Sequence, residues 1–210
     1  QLVADPQQKP QLRARALRAL DPANAGLNDK LFNDLLAVAD PVLPLETVRT
    51  LQASPIPTAA QLLAGIARDE NRETNLRAEA LVGLAAQPID AASRELLTSL
   101  LSSEDRALQI EALRAVRKIP PQDFNAELNT ALTDLSTSVI SSKGDDVTDD
   151  DRELAEQLKR ALKAGGQNVP RNAALRTKRP QTIAEWQKLL EQPGDTDAGR
   201  RVFFHSGGAG

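Results

Sequence analysis

Three arginines stand at equivalent places in a segment that this chain repeats, and that spacing is the first feature with chemical content. Arg18, Arg49 and Arg114 each fill the seventh position of a nine-residue segment, and Glu46 and Glu111 precede two of them by three residues. Residues three apart on a helix are neighbours, so each such pair contributes about 0.2–0.5 kcal/mol as a surface ion pair. Stacked repeats would bring the arginines into a row. The row reads foremost as a structural ladder, and the alternative is a basic groove on a concave face that takes an anionic ligand. Val82 stands at the arginine position of the remaining segment and interrupts the row. Arg13, Arg77, Arg117 and Lys118 add positive charge, and Arg18, Arg49, Arg114 and Arg117 are the candidate interaction residues. A nucleic-acid groove made from them would lack interleaved aromatics for base stacking, so nucleic acid is not the expected partner.

Other chemistry is sparse. His205 is the only histidine and there is no cysteine. A Ser/His/Asp triad or a histidine metal site would rest on that one imidazole. Thiolate nucleophiles, disulfides, Cys-ligated metals and covalently attached haem are excluded for these residues. The acidic run from Asp145 to Asp151 offers carboxylate oxygens to a hard cation, yet it has neither the EF-hand order nor the closing glutamate. Its simpler use is as a helix start, with Thr148 or Asp149 as N-cap and the other carboxylates at the positive end of the helix. No glycine-rich phosphate loop, His-x-x-x-His pair or nucleophile elbow occurs. The expectation is a chain with no catalytic residue, metal or cofactor of its own.

The elements that would position the arginines are helices. Aromatic content is 2%, from four Phe and one Trp with no Tyr, so the core must come from Leu, Ala, Val and Ile. Such side chains suit closely approaching helices better than a sheet sandwich. The 26 Lys plus Arg against 29 Asp plus Glu give a formal charge of −3, which supplies no net attraction for nucleic acid or an anionic membrane. No apolar run approaches the roughly 18 residues of a membrane span. The start has neither Met nor the basic-then-apolar pattern of a signal peptide, and Ser206 to Gly210 follow directly on Phe203 and Phe204. These features read as a segment excised from a longer chain.

The nine-residue segments are Leu12 to Leu20, Leu43 to Leu51, Leu76 to Leu84 and Leu108 to Val116, and their last residues lie 31, 33 and 32 positions apart. Each step has room for two helices and two turns. Apolar residues at the first, third, sixth and ninth positions, with small Ala or Thr at the fifth, predict helices buried on more than one side. Second helices are predicted over 29–38, 59–67, 92–101 and 125–135, and prolines at Pro41, Pro55, Pro57, Pro88, Pro120 and Pro121 punctuate the junctions. Residues 136–151 read as an inserted loop, 150–163 as a last helix and Gly165-Gly166 as its stop. One hairpin of this size cannot bury both apolar faces, so neighbours must stack into a solenoid.

Asp40-Pro41 followed by Val48-Arg49, and the run from Ile110 to Arg114, resemble the HEAT-like repeats of bacterial proteins over roughly residues 10–163. The steps are shorter than the usual HEAT range of about 40–47 residues. The resemblance implies an all-α, right-handed α-solenoid of roughly five short helical hairpins over 1–166.

Residues 167–193 read as a linker followed by a short amphipathic helix over 183–190, capped by Thr182 with Glu185 completing a capping box. Trp186, Leu189 and Leu190 on that helix need a surface to cover. Residues 194–210 carry Gly194, Asp195, Gly199, Phe203 and Phe204 in an order similar to the first helix of a class I cytochrome c domain, just ahead of its Cys-x-x-Cys-His haem site. Repeats, a Glu-Trp-x-x-Leu-Leu helix and this motif together resemble multidomain dehydrogenase and cytochrome c proteins of planctomycetes and verrucomicrobia. That resemblance implies a propeller-type dehydrogenase domain before the repeats and haem c bound beyond Gly210, with His205 on the loop before the haem cysteines. It also implies export from the cytoplasm, neighbouring domains of the parent chain as partners, and a non-catalytic spacing and docking role for this segment.

Overall fold

The structure, a computed structural model, describes residues 1–141, 148–168 and 182–190. Among them the secondary structure is helical and contains no strand. The chain divides into two compact units, Gln1–Leu175 and Arg176–Gly210. The first holds α1 (Pro10–Arg18), α2 (Asp29–Leu36), α3 (Leu43–Ala53), α4 (Ala59–Arg68), α5 (Thr74–Leu84), α6 (Ala91–Leu100), α7 (Arg106–Val116), α8 (Ala126–Ser141) and α9 (Asp149–Ala164). The second holds α10 (Ile183–Leu190), on which Ile183 and Trp186 are exposed.

Short polar side chains set the helix starts. Asn28, Asp90, Asp105 and Asn125 each accept a hydrogen bond from a backbone N–H of the first turn that no carbonyl in the helix can reach. Thr148 and Asp151 form a reciprocal capping box at the start of α9. That helix ends as Gly165-Gly166 predicts. Gly166 adopts φ +70°, Gln167 N–H donates to the Leu162 carbonyl at 2.9 Å and Gly166 N–H to that of Lys163 at 3.2 Å.

The expected loop over 136–151 is shorter at both ends. Helix α8 continues to Ser141 and α9 begins at Asp149, with 142–147 outside the described residues. The cause is an apolar stripe, Leu128, Leu132, Leu135 and Val139, whose three-and-four spacing runs past Leu135 and stays buried.

Packing follows two rows. In one, α1 lies on α3, α3 on α5, α5 on α7 and α7 on α9; in the other, α4 meets α6 and α6 meets α8. Contacts between α2 and α3, α4 and α5, α6 and α7, and α8 and α9 join the rows. Leu17, Leu51, Leu81, Leu84 and Leu113 are fully buried, each removing roughly 1.5–3 kcal/mol of apolar surface from water. The small fifth-position residues Thr47, Ala80 and Ala112 are also fully buried, which is where neighbouring helices come close. Gly83 takes this further: a Cβ there would lie 2.3 Å from Gln52 Cγ.

Candidate functional site

The arginine row exists, and buried carboxylates run through it. Arg18 on α1 reaches across to Glu46 on α3 with both prongs of its guanidinium, Nη2 to Oε1 at 2.7 Å and Nε to Oε2 at 3.0 Å. Glu46 also takes Arg49 Nη1 of its own helix at 2.8 Å, and Arg49 Nε continues to Glu79 on α5 at 3.3 Å. After the break at Val82 the pattern resumes. Arg114 on α7 binds Glu111 one turn earlier and Glu153 on α9, both at 2.6 Å. Side-chain exposure falls to 5% for Glu46, 3% for Glu79 and 6% for Glu111, against 64% for Arg18.

Burial and ion pairing pull in opposite directions at Glu46, Glu153 and Arg114. At Glu46 it pushes the carboxyl upward, but hydrogen bonds from Arg18 and Arg49 prevail and hold it below the ordinary glutamate value. Glu153 is lowered in the same way, against burial, by Gln157 and Arg114. Burial works against the charge of Arg114 too, and Glu111 with Glu153 more than offsets it, so this guanidinium is raised. All three stay charged because each has its counter-ion in contact.

A second recurring device involves the second position of the repeat segment. Arg13 Nε donates to the Val3 carbonyl at 2.8 Å, Arg77 Nε to that of Ala67 at 3.0 Å and Gln109 Nε2 to that of Leu101 at 3.0 Å. Each tie fastens a helix to the chain shortly before it and satisfies a carbonyl near a helix end or turn. Arg13 is buried and Arg77 half-buried, so neither lines a basic groove. The common signal was a long donor side chain at one repeat position; Pro44 fills that position on α3 and carries no such tie.

Of the four candidate interaction residues, Arg18, Arg49 and Arg114 therefore lie in the ladder. Arg117 lies beside it, with Nη1 on Gln157 Oε1 at 2.9 Å. Glu79 and Glu153 complete the ladder without having been singled out from the sequence. Glu79 holds the fourth segment position that Glu46 and Glu111 share, whereas Glu153 lies outside the nine-residue pattern. In the acidic run Thr148 is the N-cap, and Asp151 serves the capping box and pairs with Arg106 at 3.3 Å. Among the described residues no group of His, Cys, Asp or Glu is placed to hold a metal ion. Residues 145–147, Gly194, Asp195, Gly199, Phe203, Phe204 and His205 lie outside the described residues, as does the Glu185 side chain expected in the α10 capping box.

Comparison with family models, curated proteins and solved structures returns no match.

A cleft of about 1090 Å³ opens on α2, α4 and the start of α6, over Ala60, Ala64 and Gly65. Part of its polar rim is engaged within the chain. Thr58 Oγ1 donates to Asp29 at 2.6 Å, Arg72 pairs with Asp69 at 3.1 Å, and Asp90 caps α6. Among the described residues no helix is long and apolar enough to cross a membrane.

Proposed function

We propose that the chain is a non-catalytic helical-repeat module, a right-handed α-solenoid of short HEAT-like hairpins that spaces and docks other domains. The ladder is the observation that carries this reading. A surface meant to grip a polyanion would leave its guanidiniums available, whereas Arg18, Arg49 and Arg114 are committed to Glu46, Glu79, Glu111 and Glu153, which tie each helix of the row to a neighbour. The stepwise packing of α1, α3, α5, α7 and α9 supports the solenoid. Four interhelix steps of about 9 Å separate α1 from α9 by about 36 Å. Nitroxide labels on cysteines placed at exposed Arg15 and Lys159 measure this directly, because the chain has no cysteine of its own. A separation under about 20 Å, as for helices around one centre, would overturn the solenoid.

The motif resemblance adds that the flanking domains are a dehydrogenase and a c-type cytochrome of an exported electron-transfer protein. The longer reading frame tests this: a Cys-x-x-Cys-His pentapeptide soon after Gly210 is expected, and its absence removes the electron-transfer setting. The competing reading, a nucleic-acid module using the arginine row, predicts binding that weakens steeply with salt. No binding to an oligonucleotide at low ionic strength eliminates it.

A further inference from the structure

We propose that Arg117, at the C-terminal end of α7, is a docking point for a carboxylate-rich segment of a partner protein. This deepens the docking reading given above and rests on it. Three of the four candidate arginines are committed to carboxylates of the chain. Arg117 has a neutral acceptor instead: its Nη1 donates to Gln157 Oε1 at 2.9 Å, and among the described residues it forms no ion pair. Gln157 is buried at 4% exposure, and its Nε2 donates to Glu153 Oε1 at 2.8 Å. Glu153 is itself fixed by Arg114 at 2.6 Å. The carboxamide is thus held from behind, and it orients the Arg117 guanidinium without neutralising it.

The surroundings leave positive charge at this spot. Arg117 and Lys118 are both exposed. Partial desolvation of the guanidinium, and after it the like charges of Arg160 and Arg114, lower Arg117 from its ordinary value, and the opposite pull of Glu153 and Glu156 does not compensate. A planar guanidinium held by one hydrogen bond, with N–H groups to spare, suits a carboxylate at the end of a short side chain. A nucleic-acid backbone suits it less. Few aromatics, four Phe and one Trp in the whole chain, are present to stack bases.

Fluorescence anisotropy of labelled hexaglutamate against the full chain at low ionic strength tests the assignment, with a thymidine oligonucleotide as a separate arm. The expected result is salt-sensitive binding of hexaglutamate that Arg117→Gln weakens about tenfold. Arg117→Lys, which keeps charge and loses the fork, falls between. Arg68→Gln, an exposed arginine on α4, behaves as the unaltered chain. Circular dichroism checks that Arg117→Gln keeps its helices. Absence of hexaglutamate binding, equal weakening by Arg68→Gln, or tighter binding of the oligonucleotide would each overturn the proposal. If binding fails while the Arg15 to Lys159 label distance stays near its expected value, this docking point is lost and the solenoid stands. A short distance with Arg117-dependent binding has the opposite meaning.

Discussion

Glu46 is the carboxylate that both Arg18 and Arg49 use, and its 5% side-chain exposure makes the two sides of that contact unequal. Glu46→Ala leaves Arg49, 11% exposed, with Glu79 as its remaining charged partner in the ladder, so a loss of about 2–3 kcal/mol is expected. Arg18→Ala removes a side chain that is 64% exposed and should cost less than about 1 kcal/mol. Urea unfolding of both variants checks the asymmetry, and equal losses would show that burial does not grade the rungs. The same carboxylates set the response to acid. Glu46 and Glu153 titrate lower in the folded chain than their ordinary value, so the folded state binds fewer protons than the unfolded state through that range. Their contribution is complete above the unfolded glutamate value of about 4.3 and is lost as pH falls through the lower folded values. Unfolding midpoints should hold steady from about pH 7 to 5 and drop below about 4.5, and Glu46→Gln should flatten that drop.

Helix α5 shows how an element is fixed by what lies against it. Gly83 sits inside this helix, where Ala would ordinarily gain about 1 kcal/mol of helix propensity. Here the added Cβ would meet Gln52 Cγ at 2.3 Å and both Leu63 methyls at 3.1 Å. Gln52 cannot swing aside freely, because its Nε2 donates to the Glu79 carbonyl at 2.9 Å. Gly83→Ala should therefore destabilise by about 1–2 kcal/mol in spite of propensity. Gly65 on α4 is the matched control, since a Cβ there meets nothing within 4 Å. Gly65→Ala should stabilise by about 0.5–1 kcal/mol. Thermal melts of the two variants should move in opposite directions, and a shared direction would refute the packing account.

Across the first unit, protection should follow the number of neighbouring helices. Helix α5 packs against α3, α4 and α7, whereas α1 packs on α3. In a row of helices joined chiefly to their neighbours, an end opens at lower cost than the middle. Hydrogen exchange read by mass spectrometry should find the α5 amides slowest and those of α1 fast. Uniform protection from α1 to α9 would mean a single cooperative core and would count against the proposed solenoid.

The sequence by itself settled the helical character and most helix positions. The signals involved, apolar spacing, capping Asn and Asp, proline stops and Gly165-Gly166, act within a turn or two of chain. It also displayed the pairs inside one helix, Glu46 with Arg49 and Glu111 with Arg114. The pairs between helices were another matter. Arg18 with Glu46, Arg49 with Glu79 and Arg114 with Glu153 span 28, 30 and 39 residues. Whether such side chains meet depends on how far each helix is rotated and slid along its neighbour, and the packing of buried leucines, with the space left by Gly83, sets both. For the same reason only the tertiary structure could tell Arg117, turned to a neutral carboxamide, from the three arginines beside carboxylates.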